Sequence, residues 1–377
     1  MAPYQIFFPI GLLGALWAVG VWFVPTAVLG SPAMFIHGKL IAGVFLWSYI
    51  VGFLMTAVPR MTGTPAARIW EYVVGLSITA VLFVTAWMLD PVPFYSAVIA
   101  QVLFLAVFAG RRLWLAVKVP PVFFSHVGLA FGLALGGAFA HAKGESYLGL
   151  HLYHVGTVLL LVLGIGTRFF AFLSGLPSDF ETNAPSWARR GFHALGALTA
   201  LLLICAGWGF ASAYSGLAVV GLVYLFGIWR IQRPATRPSA LKWAMRVVAA
   251  VIPLTFFLAW SWPEFALAWL HLLFIAGFAL ITLAVSTRVT LAHGSYPTEI
   301  ETRAPALWGM FVLLDAGRVR PCGSALQNDV SARRGSVVVP RARFVERFVF
   351  AENFYSRTST KTLLLNERNR IRRRSCG

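Results

Sequence analysis

Long apolar runs separated by short polar connections dominate the chain. Ten fall at about residues 4–24, 36–58, 71–89, 93–110, 121–141, 148–167, 190–211, 214–230, 243–261 and 264–287. An eleventh opens at Ala306 as Ala-Pro-Ala-Leu-Trp-Gly-Met-Phe-Val-Leu-Leu and breaks at Asp315. A spanning helix needs roughly 20 mainly apolar residues and a barrel strand about 10, and only helices and closed barrels satisfy every backbone polar group in lipid. The runs are too long for strands. They predict an all-α, polytopic transmembrane helix bundle of about 11–12 helices. The first run starts at Tyr4 with no basic stretch before it and leads straight into a second, so it is expected to be a retained helix and not a cleaved signal.

Composition agrees: 59% of the 377 residues are apolar and 12% charged, where a soluble domain carries about a quarter charged. A soluble fold would have nowhere to bury that surface. The formal charge of +18 sharpens the picture through its placement. Fifteen of the seventeen Lys and Arg before Ala316 lie in the connections after the second, fourth, sixth, eighth and tenth runs, and only Lys39 and Lys143 lie in the others. Basic residues concentrate in cytoplasmic loops, so these connections and the N-terminus are expected in the cytoplasm. The expected partner of the basic residues is the lipid bilayer, with no nucleic acid. Cys205, Cys322 and Cys376 form neither a CxxC pair nor a metal spacing.

From Ala316 the text changes: fourteen Lys and Arg and four Asp and Glu occupy 62 residues. Two readings stand, a basic tail on the anionic inner leaflet or a reading-frame change that replaced the last helices. The second is favoured because a spanning helix should not stop after ~9 residues when ~20 are needed. The expected division is a membrane domain over 1–314 and a basic, disordered or frame-shifted tail over 315–377.

Five of the eight histidines are expected on the extracytoplasmic side. His37 opens the second run, His141 closes the fifth, His151 and His154 open the sixth, and His271 lies early in the tenth. His126, His193 and His293 fall toward the cytoplasm. Ionisable residues in membrane helices tend to face a bundle interior, a cavity or a ligand. Neutral imidazole ligates haem iron and suits copper, so histidines at like depth on the second, sixth and tenth runs suggest a metal or haem site in the outer half of the bundle. The plain alternative is a carbonyl cap, a headgroup contact or an interhelical bond; His141 reads as interfacial. The same three runs pair an outer His with an inner Arg: His37 with Arg60, His154 with Arg168, His271 with Arg288. Recurrence every fourth helix suggests three four-helix units, although positive-inside anchoring is the preferred reading of the arginines over catalysis. Lys39 and Glu145 are candidate proton or ion carriers on the outer side. Pro253 within the ninth run is a weak sign of a broken transporter helix, and a transporter of a metal, haem or small anion is the alternative function.

The stretches His37-Gly38-Lys39-Leu40, Gly52-Phe53-Leu54-Met55-Thr56-Ala57-Val58-Pro59-Arg60-Met61-Thr62-Gly63-Thr64, Leu163-Gly164-Ile165-Gly166-Thr167-Arg168-Phe169-Phe170, and His271 through Gly277-Phe278 to Thr287-Arg288-Val289 and Leu291-Ala292-His293-Gly294 resemble the NnrS family of bacterial membrane proteins. The resemblance covers roughly residues 4–314. It implies a twelve-helix inner-membrane protein containing haem and copper and tied to nitric oxide and denitrification stress. It also implies His37, His271 and His293 as family-matching histidines, metal ligands by that likeness, with Arg60, Arg168 and Arg288 as matching arginines. Many members carry His-x-His-Glu where this chain has His37, Lys39 and Leu40, so a two-histidine site on that helix is not implied here. His151 and His154 join His37 and His271 as candidate cofactor ligands from placement alone. Whether the protein is an enzyme is left open.

Overall fold

The computed structural model describes residues 2–29, 32–174, 184–233, 240–294 and 296, and holds no strand among them. Among the described residues ten apolar helices form the bundle: α1 Pro3–Phe23, α2 Ala33–Thr62, α3 Ile69–Thr85, α4 Pro91–Trp114, α5 Phe124–Ala142, α6 Ser146–Leu173, α7 Ser186–Gly207, α8 Ser212–Ile228, α9 Ala240–Ser261 and α10 Pro263–His293. Eight are long and apolar enough to cross a membrane, while α3 and α8 are shorter. Each answers one of the ten expected runs. The eleventh run and the stretch 315–377 lie outside the described residues.

The helix ends follow from local chemistry. Asp90 accepts a hydrogen bond from the Val92 N–H at 2.9 Å and Pro91 takes the first helical position of α4, which satisfies end donors that lipid cannot. Gly63 closes α2 at φ +70°, a left-handed conformation that glycine adopts without strain.

Burial distinguishes an axis from a periphery. In their most apolar stretches α2 is 83% and α6 72% buried, against 33% for α1 and 39% for α7. Helices α1, α3 and α4 pack around α2, α5 and α7 around α6, and α9 joins α8 to α10. The third member of the expected series, α10, packs on α1, α2, α6 and α9 but is only 44% buried. Glycines allow close approach: a Cβ at Gly14 would lie 2.7 Å from the Val44 side chain, the small-residue packing usual between membrane helices.

The two ends of the bundle differ in charge as the loop pattern predicts. At one end Thr62 accepts hydrogen bonds from the backbone N–H groups of Val117 and Lys118, and Arg112 of α4 is paired with Glu71 of α3 at 2.8 Å. Arg246 there donates to the Arg233 carbonyl. At the other end Lys39 donates to the Met88 carbonyl at 2.7 Å. The first end is the arginine-rich face of the bundle.

Four helices contain a wide, π-helical stretch: Leu40–Leu46 in α2, Leu150–Gly156 in α6, Val223–Ile228 in α8 and Leu273–Ala279 in α10. Such turns place one extra residue in the helix and occur often at functional sites. Three of the four fall beside the histidines of α2, α6 and α10.

Candidate functional site

The histidines separate into five groups. His37 and His271 form the outermost, close enough to interact electrostatically. His37 Nδ1 lies 2.8 Å from the Ala18 carbonyl oxygen and His271 Nδ1 lies 2.9 Å from that of Leu267. A carbonyl only accepts, so Nδ1 carries the proton in His271 and Nε2 keeps its lone pair; in His37 the same Nδ1 also lies 3.2 Å from the Trp22 indole N–H, which only donates, so an acceptor and a donor compete for that nitrogen. Trp22 packs on His37 with ring centroids 5.6 Å apart. Fixing Nδ1–H on a backbone carbonyl is how proteins orient an imidazole whose Nε2 is to meet a metal.

The second group was not legible in the sequence. His141 is only 8% exposed and its Nε2 faces His154 Nδ1 at 3.4 Å, so it belongs to the bundle interior and not to the interface. Tyr95 of α4 stacks on its ring at 4.4 Å and 6°. His154 therefore partners α5 and not the His37–His271 pair. It also sits deeper, one turn from Val158 on the wall of the central cavity, whereas His37 and His271 stand nine and ten residues from the nearest cavity residues on their helices. The expectation of like depth is corrected accordingly.

His151 has both ring nitrogens engaged. Nδ1 donates to the Tyr147 carbonyl at 2.9 Å, and Nε2 accepts from the Tyr214 hydroxyl at 2.6 Å. His293 repeats the outer pattern at the opposite end. Its Nδ1 donates to the Val289 carbonyl at 2.8 Å, its Nε2 is buried without a hydrogen-bond partner, and its ring lies against Tyr4 beside Arg60. Being at the arginine-rich face, it cannot share one ion with His37 and His271. Arg288 lies over the Phe172 ring at 4.8 Å, Arg60 is exposed, and Arg168 is half-buried. These arginines stand at the far ends of their helices from His37, His154 and His271. Of the outer candidates for ion carriage, Lys39 is buried and Glu145 exposed.

The fifth group, around His126, joins α5, α7 and α8. Between α2, α6 and α10 lies an apolar cavity of about 660 Å³ including its mouth, lined by residues such as Tyr49, Phe53, Leu161, Gly166, Phe169 and Ile281. Among the described residues no group of three or more His, Cys, Asp or Glu side chains is arranged to hold a metal ion.

Spanning helices and charge-segregated ends define a polytopic helical membrane protein. The chain belongs to the NnrS family: the family model described as NnrS protein matches residues 1–330. No curated protein matches it, and no solved structure does.

Proposed function

We propose that this protein binds haem and copper in the bacterial inner membrane, with its N-terminus in the cytoplasm, and serves the nitric oxide response by binding the gas or limiting its effects. The observation that supports this most is the His37–His271 pair, two imidazoles on neighbouring helices, each with Nδ1 against a backbone carbonyl and Nε2 on the opposite edge of the ring. That donor chemistry fits haem, which asks for one or two imidazoles among largely apolar walls. Copper fits less fully, since the described residues offer it a two-nitrogen set in His141 and His154 but no third donor. Haem held here by His37, His271 or both would supply an iron able to bind a diatomic gas. The protein's own part is orientation: the Ala18 and Leu267 carbonyls hold the two rings by their Nδ1 edges, and Trp22 lies against the His37 ring.

The test is an optical spectrum with haem and copper analysis of the detergent-purified protein, oxidised, reduced and exposed to nitric oxide. A Soret band that shifts with the gas and disappears in His37→Ala and His271→Ala is the expected result. A well-folded protein that is colourless and metal-free would overturn the reading and bring transport to the front.

A further inference from the structure

A continuous hydrogen-bonded chain of side chains enters the bundle from the arginine-rich face. His193 on α7 is exposed, and its Nδ1 lies 2.7 Å from Ser125 Oγ at the start of α5. Ser125 Oγ lies 3.3 Å from His126 Nδ1 and 3.1 Å from the Val122 carbonyl, so its single hydrogen has two acceptors to choose between. His126 Nε2 is hydrogen-bonded to the Tyr224 hydroxyl of α8. Both His126 and Tyr224 are fully buried.

The surroundings hold this chain in place. Phe192 stacks on the His126 ring at 4.1 Å. A Cβ at Gly164 would lie 2.7 Å from His126 Cβ, and one at Gly196 would lie 2.8 Å from its Cε1 and Nε2. Two helices thus give up side chains where the imidazole passes between them. Beyond Tyr224 stands Trp229, ring centroids 6.0 Å apart, whose indole N–H is buried without a partner. Trp229 in turn abuts Gly166, 3.2 Å from the position of its missing Cβ, and Gly166 lines the central cavity.

We propose that His193, Ser125, His126 and Tyr224 form a proton relay between the arginine-rich face and the inner wall of the bundle. Intramembrane ionisable residues are costly to bury, and chains of them mark proton paths. For inward transfer a solvent proton adds to His193 Nε2 and the Nδ1 proton leaves to Ser125 Oγ. Ser125 passes its own hydroxyl proton to His126 Nδ1, and His126 passes its Nε2 proton to the Tyr224 oxygen. The Tyr224 hydroxyl proton then goes to a water or other oxygen base on the cavity side. Each group gains one proton and loses one, and both rings end in the opposite tautomer, so they must turn back before the next transfer.

A histidine that merely satisfies a buried tyrosine would not need Ser125, and this separates the two roles. The full chain, labelled with 15N-histidine in lipid, is followed by NMR for solvent exchange of the His126 ring proton, assigned by its absence in His126→Gln. Fast exchange in the native protein is expected, slowed at least tenfold in Ser125→Ala and in His193→Gln, and restored by Ser125→Thr, which keeps the hydroxyl. His193→Gln lies at an exposed site and tests the relay even where Ser125→Ala fails to fold. Exchange unchanged in His193→Gln, or no exchange over hours in the native protein, would overturn the relay.

Discussion

Two glycines of α7 allow the same substitution to be tested with opposite signs. Nothing lies within 4 Å of a Cβ at Gly191, whereas one at Gly196 would meet His126 Cε1 and Nε2 at 2.8 Å. Replacing glycine by alanine in a helix interior gains about 0.8–1 kcal/mol in propensity, and at Gly191 that gain stands alone. At Gly196 the imidazole must give way, but Phe192 stacks on one side at 4.1 Å and Gly164 closes the other. Overpacking of this kind costs about 1–3 kcal/mol, and a buried polar pair that loses its bond costs about 1–3 kcal/mol more. Gly191→Ala should therefore raise the unfolding midpoint slightly, and Gly196→Ala should lower stability by about 1–5 kcal/mol net. Near-ultraviolet circular dichroism during unfolding of the detergent-solubilised protein reads both. Equal midpoints for the two variants would refute the socket assigned to His126.

Arg112→Ala should cost about 3–5 kcal/mol by stranding buried Glu71, while replacing both residues by apolar ones of similar size should recover most of the loss in the same unfolding assay. Tyr214→Phe should cost about 1–3 kcal/mol by leaving His151 Nε2 unsatisfied, and any Soret band should keep its position. If haem is held by the outer pair, His293→Ala should retain the haem content that His37→Ala and His271→Ala lose, as measured by pyridine haemochrome.

The ten helices and the two-faced charge pattern were readable because both rest on rules that act locally. An apolar run of about 20 residues satisfies its own backbone, and arginines gather at one side whatever the packing. Lateral neighbours obey no such rule. His141, at the last turn of α5, reads as loop-adjacent, yet Gly149 leaves room against its ring and α6 covers it. His126 drew no functional reading because its partners Ser125, His193 and Tyr224 come from three separate places in the chain, and Ser, His and Tyr are ordinary helix residues. Gly164 and Gly166 read in sequence as small helix residues, and nothing local says what approaches them: His126 on one and Trp229 on the other.

The wide turns have a rotational consequence. A regular helix advances about 100° per residue, so one surplus residue in Leu40–Leu46 resets the compass bearing of everything on its outer side. Along α2, His37 points at Ala18 and Trp22 of α1 on a heading that the apolar stripe of the inner half does not dictate. Excising a single residue from the turn would swing the imidazole about a quarter of a circle and draw it about 1.5 Å along the axis, leaving Met55 and Val58 where they are. The same holds for His271 of α10, which precedes its wide turn, whereas His151 and His154 of α6 lie within theirs; on α2 and α10 the outer imidazole and the inner packing are set on independent bearings.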